Sequence, residues 1–496
     1  SSLPERATIY KPAEGKEIQG CIQIIHGMAE HQKRYAPLAN FLADNGYVVV
    51  TSDLRGHGDN IASEKELGYF GDDAVLRNQM QKKAMEESRL GIPILFGHDV
   101  IHGYRTIFPI PLAQACSWNP ELARLSCEVS AREAASSGVD WTFSPMVDVA
   151  RDPRWGRVAE GSGEDPYLDV QMGVAMVKGY QGADLGDPTA MAACIKHFVG
   201  YGAAEGGRDY NSTMISERSL RNTYFPAFKA TAEAGAATLM TSFNEIDGIP
   251  STGNKWLLKD ILRDEWGWDG MIVTDWNDIN NLYTREGVAV DKKHAIEIAI
   301  NAGIDMTMEP YDLEFTTLLI ELVKEGKVSM ERIDDAARRV LRLKYRLGLF
   351  ENPDTPFENY PDFASEKFAQ IATAAAEESE VLLKNENGIL PLKKGQKILV
   401  TGPNANSMRC LNGGWSYSWQ GDIVDKVLPN GTTFVDAIRA IGGDNVSYVA
   451  GVEYATEGHF AGECNVNIEA AVKAAQDVDV IVLCIGENSY CETPGN

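Results

Sequence analysis

GMIVTDWND, residues 270–278, is the stretch on which the fold turns. Met271 to Val273 form an unbroken apolar run, the pattern of a strand buried on both faces of a parallel sheet. The run stops abruptly at Thr274, Asp275 and Trp276. A buried strand ending in a carboxylate is how a (β/α) barrel delivers a reactive group to the rim where its strands end. Alternatively Asp275 is a helix N-cap, a common use of an Asp that precedes a helix. Whether other strands end in the same way separates the two.

Working outward, IPILFG (92–97), DWTFSPMV (140–147), AACIKHF (192–198), ATLMTSF (237–243) and GIDMTM (303–308) alternate with helical stretches. This rhythm across residues 74–350 predicts an α/β fold with a barrel of the (β/α)8, TIM-like type. Polar residues gather at the strand ends: Asp99, Asp148, Lys196 with His197, and Asp275. In a barrel those ends open on one rim, so residues distant in sequence share a pocket. Asp278 reads as the cap of the next helix, and EDPYL (164–168) as a turn into another.

A chain of 496 residues, 44% apolar and 24% charged, has length for two or three domains. Its net charge of −25 argues against nucleic acid and anionic membranes as partners. The eight cysteines form no CxxC pair, and no ligand cluster has the spacing of a metal site, so neither metal nor cofactor is expected. No apolar run reaches the ~18 residues of a membrane span. The opening SSLPERATIY shows no charged-then-apolar signal pattern, which leaves the compartment open.

Helical spacing over IDDAARRVLRLKYRLGLF (333–350) predicts a last barrel helix, and Pro353, Pro356 and Pro361 mark residues 351–364 as a linker. Beyond it, a helix at about 365–385, strands KILVTG (397–402), SYVAG (447–451) and VIVLCIG (480–486), and a helix near 468–476 predict a second α/β layer domain over 365–496. The TGPNA turn lacks the glycine spacing and the Lys of a phosphate loop. GGWSYSWQGD (413–422) offers Trp415 and Trp419, either as stacking surfaces for a sugar ring or as ordinary packing.

Residues 1–73 have a different character. His26-Gly27-Met28 and Asp53-Leu54-Arg55-Gly56-His57-Gly58 resemble the start of an α/β-hydrolase of the monoacylglycerol lipase or lysophospholipase type. That resemblance implies part of an oxyanion hole, yet no G-x-S-x-G nucleophile elbow occurs in the chain, so esterase activity is a minor alternative.

From about residue 75 onward, ESRLGIPILFGHDVIHGYRTIFPIPLAQA, SPMVDVARDPRWGRVAEGSGEDPYL, IKHFVGYGAAEGGRDYN and GMIVTDWNDI resemble, in order, the motifs of glycoside hydrolase family 3. The resemblance implies a retaining, exo-acting β-glycosidase, foremost a β-glucosidase, with β-xylosides as alternative substrates. It makes Asp275 the nucleophile and assigns Asp99, Arg157, Lys196 and His197 to sugar hydroxyls, with Trp276 and Trp419 as walls of the next subsite. Glu492, in the terminal GENSYCETPGN, matches the general acid/base, with Glu487 as runner-up. Phe243 stands where many members carry a Tyr near the nucleophile. The N-acetylglucosaminidases of the family place an Asp–His pair after the KHF strand, and GYGAAEGGRDYN contains no His.

Arg157 and Lys196 are expected to hold the nucleophile's pKa down, and proximity to Asp275 to hold that of Glu492 up. An Arg–Asp pair within DPRWGR is the structural alternative for Arg157. Family members begin with a further strand and helix and carry a longer second domain, so the chain reads as chimeric and truncated. A sugar-binding but inactive fragment is therefore the alternative function. Alternatively IQIIHG or YVVVTSD supplies the missing barrel strand.

Overall fold

The computed structural model describes residues 7–13, 15–16, 19–25, 36–52, 73–455 and 462–492. The first segment forms its own sheet: β1 (Ala7–Tyr10), β2 (Gly20–Ile25) and β3 (Tyr47–Ser52), in the order β1-β3-β2. β2 and β3 run parallel across helix α1 (Ala36–Asp44), while β1 lies antiparallel on the other edge of β3. Ala39 and Leu42 of α1 pack on Val49 and on Leu313 from the barrel. Among the described residues these strands pair only with one another, so neither IQIIHG nor YVVVTSD supplies a barrel strand. Both edges of β3 are already occupied. The HGM and DLRGHG motifs lie outside the described residues.

The barrel staves fall on the apolar runs except the first, which forms at Gly97–His98, where IPILFG ends. They are β4 (Gly97–His98), β5 (Trp141–Thr142), β6 (Cys194–Phe198) and β7 (Thr238–Thr241). After the hairpin β8 (Glu245–Ile246) and β9 (Ile249–Pro250) come β10 (Met271–Trp276) and β11 (Met306–Met308). Each stave lies parallel to the next in chain order, with β5 joined to β6 by the bridges Trp141–Ala192 and Met146–Lys196. Parallel neighbours require crossovers, and helices supply them. Every residue of β6 and β7 is buried, which is why these strands read as continuous apolar runs.

Helix α2 (Asp73–Glu87) is tied to the start of β5 by Arg77 and Asp140, 2.9 Å apart, and Asp140 also accepts the Phe96 N–H at 2.9 Å. After the short α3 (Pro111–Cys116), α4 (Pro120–Ser136) and α5 (Pro166–Gln181) pack closely together. Asp165 caps α5 by accepting from the N–H groups of Tyr167 and Leu168, as the EDPYL turn predicts. A Cβ on Gly179 would overlap the Arg124 carbonyl and lie 2.7 Å from the Cys127 Cβ. Gly179→Ala is therefore expected to cost about 1–3 kcal/mol by overpacking, read as a drop in Tm.

Asp278 is not a cap. Asn277, at φ 58°, precedes helix Asp278–Thr284, and the buried Asp278 carboxylate accepts from Thr252 Oγ1 and, at 3.0 Å, from Asn281 Nδ2.

The second domain is a parallel sheet in the order β13-β12-β16, from β12 (Ile398–Thr401), β13 (Val446–Tyr448) and β16 (Val480–Leu483), with a hairpin of β14 (Glu453–Tyr454) and β15 (Glu463–Cys464). Helix Glu366–Ser379 is shorter than expected because Glu380 is already extended. Its Phe368 and Ala375 bury against Phe108, Leu122 and Val129 of the barrel. His102 completes the joint, with Nε2 2.8 Å from the Gly414 carbonyl and Nδ1 2.7 Å from that of Phe108. This places the GGW loop over the strand ends. Among the described residues no helix is long and apolar enough to cross a membrane.

Candidate active site

The strand-end residues converge, with Arg157 at their centre. Its guanidinium donates to both oxygens of Glu160, at 2.8 and 3.1 Å, and to Glu492 Oε1 at 3.0 Å. Its Nη2 also lies 3.0 Å from His197 Nε2. Arg157 and Glu160 sit three residues apart on the 3-10 turn Gly156–Glu160, and each is only 2% exposed. The structural Arg–Asp pair of this stretch is Arg154 with Asp152, 2.6 Å apart, which leaves Arg157 free for the site. Lys196, near the end of β6, donates to Asp99 Oδ1 at 3.2 Å and lies 5.6 Å from the Trp415 ring centroid.

His197 is neutral: burial, with help from Arg157 and Lys196, pushes its pKa well below the ordinary value. Its Nδ1–H donates to Asp148 Oδ2 at 2.9 Å, and the same oxygen accepts the His197 backbone N–H at 2.8 Å. The lone pair of Nε2 therefore faces Arg157. Its 3.6 Å separation from Asp275 Oδ2 is a contact with an uncharged ring, not an ion pair.

Asp275 is the penultimate residue of β10, with Oδ1 accepting the Trp276 N–H at 2.6 Å. Its carboxyl is held well above the ordinary range, first by burial and then by the charge of Glu492, against the pull of Arg157 and Lys196. This corrects the expectation that the two cations would dominate. Arg157 is engaged by Glu160 and Glu492, and Lys196 by Asp99. Among the described residues neither cation makes an ion pair with Asp275, so burial and like charge win. Glu160, by contrast, stays ionised: burial is outweighed by the charges of Arg157 and Lys196 and by the hydrogen bonds from Arg157.

Glu492 comes from the second domain and also accepts from Trp419 Nε1, at 3.1 Å on Oε2. Glu487 is not brought to this cluster: its carboxylate accepts from the Tyr490 hydroxyl at 2.6 Å. Trp276 and Trp419 stand half-exposed at the mouth, 41% and 37% accessible, and Trp276 Nε1 reaches the Tyr311 hydroxyl at 3.3 Å. Phe243 is buried edge-on to Tyr201 and Tyr210, whose phenol hydrogen-bonds Glu492. No group of three or more His, Cys, Asp or Glu among the described residues could hold a metal ion.

Sequence reasoning placed Asp148 at the rim without giving it a role, and passed over Glu160 and the contacts of Tyr210. Glu160 had a signal, an acidic residue three positions after a buried Arg. Tyr210 had none.

Residues 72–343 match the profile of the glycosyl hydrolase family 3 N-terminal domain, and residues 380–495 that of its C-terminal domain. The chain belongs to glycoside hydrolase family 3. Residues 16–98 also match the profile of serine aminopeptidase, S33. Among the family's curated proteins, the periplasmic beta-glucosidase of Salmonella typhimurium is 41% identical over 83% of this chain and 55% of its own length. A lysosomal beta glucosidase of Dictyostelium discoideum is 38% identical over 84% and 53%, and a beta-xylosidase of Formosa agariphila 34% identical over 83% and 59%. The beta-glucosidase of Listeria innocua, solved in complex with glucose, superposes with a TM-score of 0.75 at 41% identity, covering 84% of this chain and 55% of that one. The chain spans about half the length of the relatives it matches.

Proposed function

We propose that this family 3 protein is a retaining, exo-acting β-glucosidase working through Asp275 and Glu492. The observation that carries the proposal is the placement of these carboxyls, one from a barrel strand and one from the second domain, about Arg157 and His197: Arg157 holds Glu492 at 3.0 Å, and His197 Nε2, 3.0 Å from Arg157, lies 3.6 Å from Asp275. The reaction requires Glu492 to enter as the acid and Asp275 as the ionised nucleophile.

In the first step Asp275 attacks the anomeric carbon while Glu492 gives its proton to the departing glycosidic oxygen. The products are a glucosyl ester on Asp275 and the free aglycone. In the second step the Glu492 carboxylate takes a proton from water as that water attacks the same carbon, and Asp275 leaves as a carboxylate. Two inversions give net retention. Asp99, Arg157, Lys196 and His197 offer the donors and acceptors that sugar hydroxyls require. Trp276 and Trp419 supply aromatic faces for the ring beyond, with Phe243 as apolar backing.

The domain assignment belongs to the same proposal: a hydrolase-like segment over 1–73, the barrel over 74–350, a linker over 351–364 and the sandwich domain over 365–496. Similarity to beta-xylosidases favours β-xylosides as the second substrate class. The test is release of nitrophenol from p-nitrophenyl β-glucoside and β-xyloside side by side. Faster glucoside turnover is expected. Glucose binding without release from either substrate would instead support a sugar-binding protein.

A further inference from the structure

Trp419 and Gln420 are consecutive residues of the GGWSYSWQGD loop, and they grip Glu492 at two levels. The Trp419 indole N–H donates to the carboxylate at Oε2, 3.1 Å away. The Gln420 amide holds the main chain: its Nε2 donates to the Glu492 carbonyl at 3.3 Å, and its Oε1 accepts the Cys491 N–H at 3.2 Å. The Gln420 carbonyl in turn accepts from Ser489 Oγ at 2.5 Å, and the Trp419 carbonyl from Cys491 Sγ at 3.3 Å. Gly421 permits this close approach, because a Cβ there would overlap the Gly413 carbonyl and meet Ser489 Oγ.

Glu492 belongs to no helix or strand, so nothing in regular secondary structure fixes its backbone. An amide pairing with one N–H and one C=O is a bidentate clamp that sets position and direction together. We propose that Gln420 is a positioning residue for the acid/base Glu492, and that the Trp419 N–H, beyond any stacking by its ring, orients that carboxyl. This rests on the glycosidase reading. The charged and titratable groups facing Glu492 are Arg157, Asp275, Asp209, Tyr201, Tyr210 and Cys491. Of its donors, only the Trp419 N–H can be deleted while an aromatic ring is kept and no ionisable group is altered.

The test compares kcat/KM for dinitrophenyl β-glucoside, whose leaving group needs no proton, with methyl β-glucoside, whose leaving group does. Gln420→Ala is expected to lose about tenfold to a hundredfold more on the methyl glucoside, the signature of a misplaced acid. Equal losses on both substrates, or none on either, would overturn the proposal. A second measurement does not depend on turnover. In carbon-13 NMR spectra of glutamate-labelled full chain, Trp419→Phe should shift the Glu492 carboxyl resonance, because a donor to that carboxyl is gone. Gln420→Ala should shift its resonance. If neither variant perturbs Glu492, the proposal fails whether or not the chain hydrolyses glucosides. If both do in a chain without turnover, the positioning role stands and the glycosidase reading falls.

Discussion

Asp275→Asn is expected to cut kcat/KM for p-nitrophenyl β-glucoside by roughly 10⁴-fold or more, since it removes the atom that forms the covalent intermediate. The substitution isolates that chemistry. An Asn of the same shape still accepts the Trp276 N–H through its amide oxygen, as Asp275 does at 2.6 Å. Stability should move the opposite way. Burial and the Glu492 charge hold the Asp275 carboxyl above its ordinary range, so its ionisation is more costly in the folded protein than in the unfolded chain. The wild type therefore loses stability as pH rises from the unfolded value of the group through its folded one. A neutral Asn escapes that loss, so its Tm should equal or exceed that of the wild type at mildly alkaline pH. An inactive variant with a lowered Tm would point to a structural role for Asp275.

Glu492→Gln has the second largest expected effect, and it depends on the leaving group. General acid catalysis contributes about 10²–10⁴-fold, so methyl β-glucoside should lose that much in kcat/KM while dinitrophenyl β-glucoside loses far less. In Glu492→Ala, azide should restore turnover by entering the vacated space and attacking the glycosyl-enzyme, yielding β-glucosyl azide. The pH profile carries a further sign. Removing the Glu492 charge removes one of the two causes that raise Asp275. The acid limb of kcat/KM for the dinitrophenyl substrate, set by ionisation of the nucleophile, should therefore move to lower pH in Glu492→Gln. A limb that stays in place would mean that the two carboxyls do not interact.

Most of the barrel was legible because buried strands read as apolar runs, and β5, β6, β7, β10 and β11 lie on those runs; β4 forms only at Gly97–His98, where IPILFG ends. The site was legible for a related reason: a Lys or Asp at the end of such a run has nowhere to go but the rim. What composition could not reveal is how charge is shared among those residues. Arg157 and Lys196 look, in sequence, like cations available to Asp275, yet geometry commits them to Glu160, Glu492 and Asp99. The like-charge penalty consequently falls on the nucleophile. Asp278 misled for the opposite reason, since a helix-start Asp normally caps, and here a buried Thr252 hydroxyl claims it. Gln420 was invisible because its partners are backbone atoms of residues 491 and 492, set against it only by the fold.

The central claim is that Asp275 becomes covalently glucosylated, and trapping tests it directly. A dinitrophenyl glucoside fluorinated beside the anomeric carbon forms the glycosyl-enzyme faster than it is hydrolysed. Mass spectrometry of the inactivated chain should find one fluoroglucosyl group, carried on the peptide that contains Asp275. A label on another carboxylate, or hydrolysis with inversion and no adduct, would contradict the account.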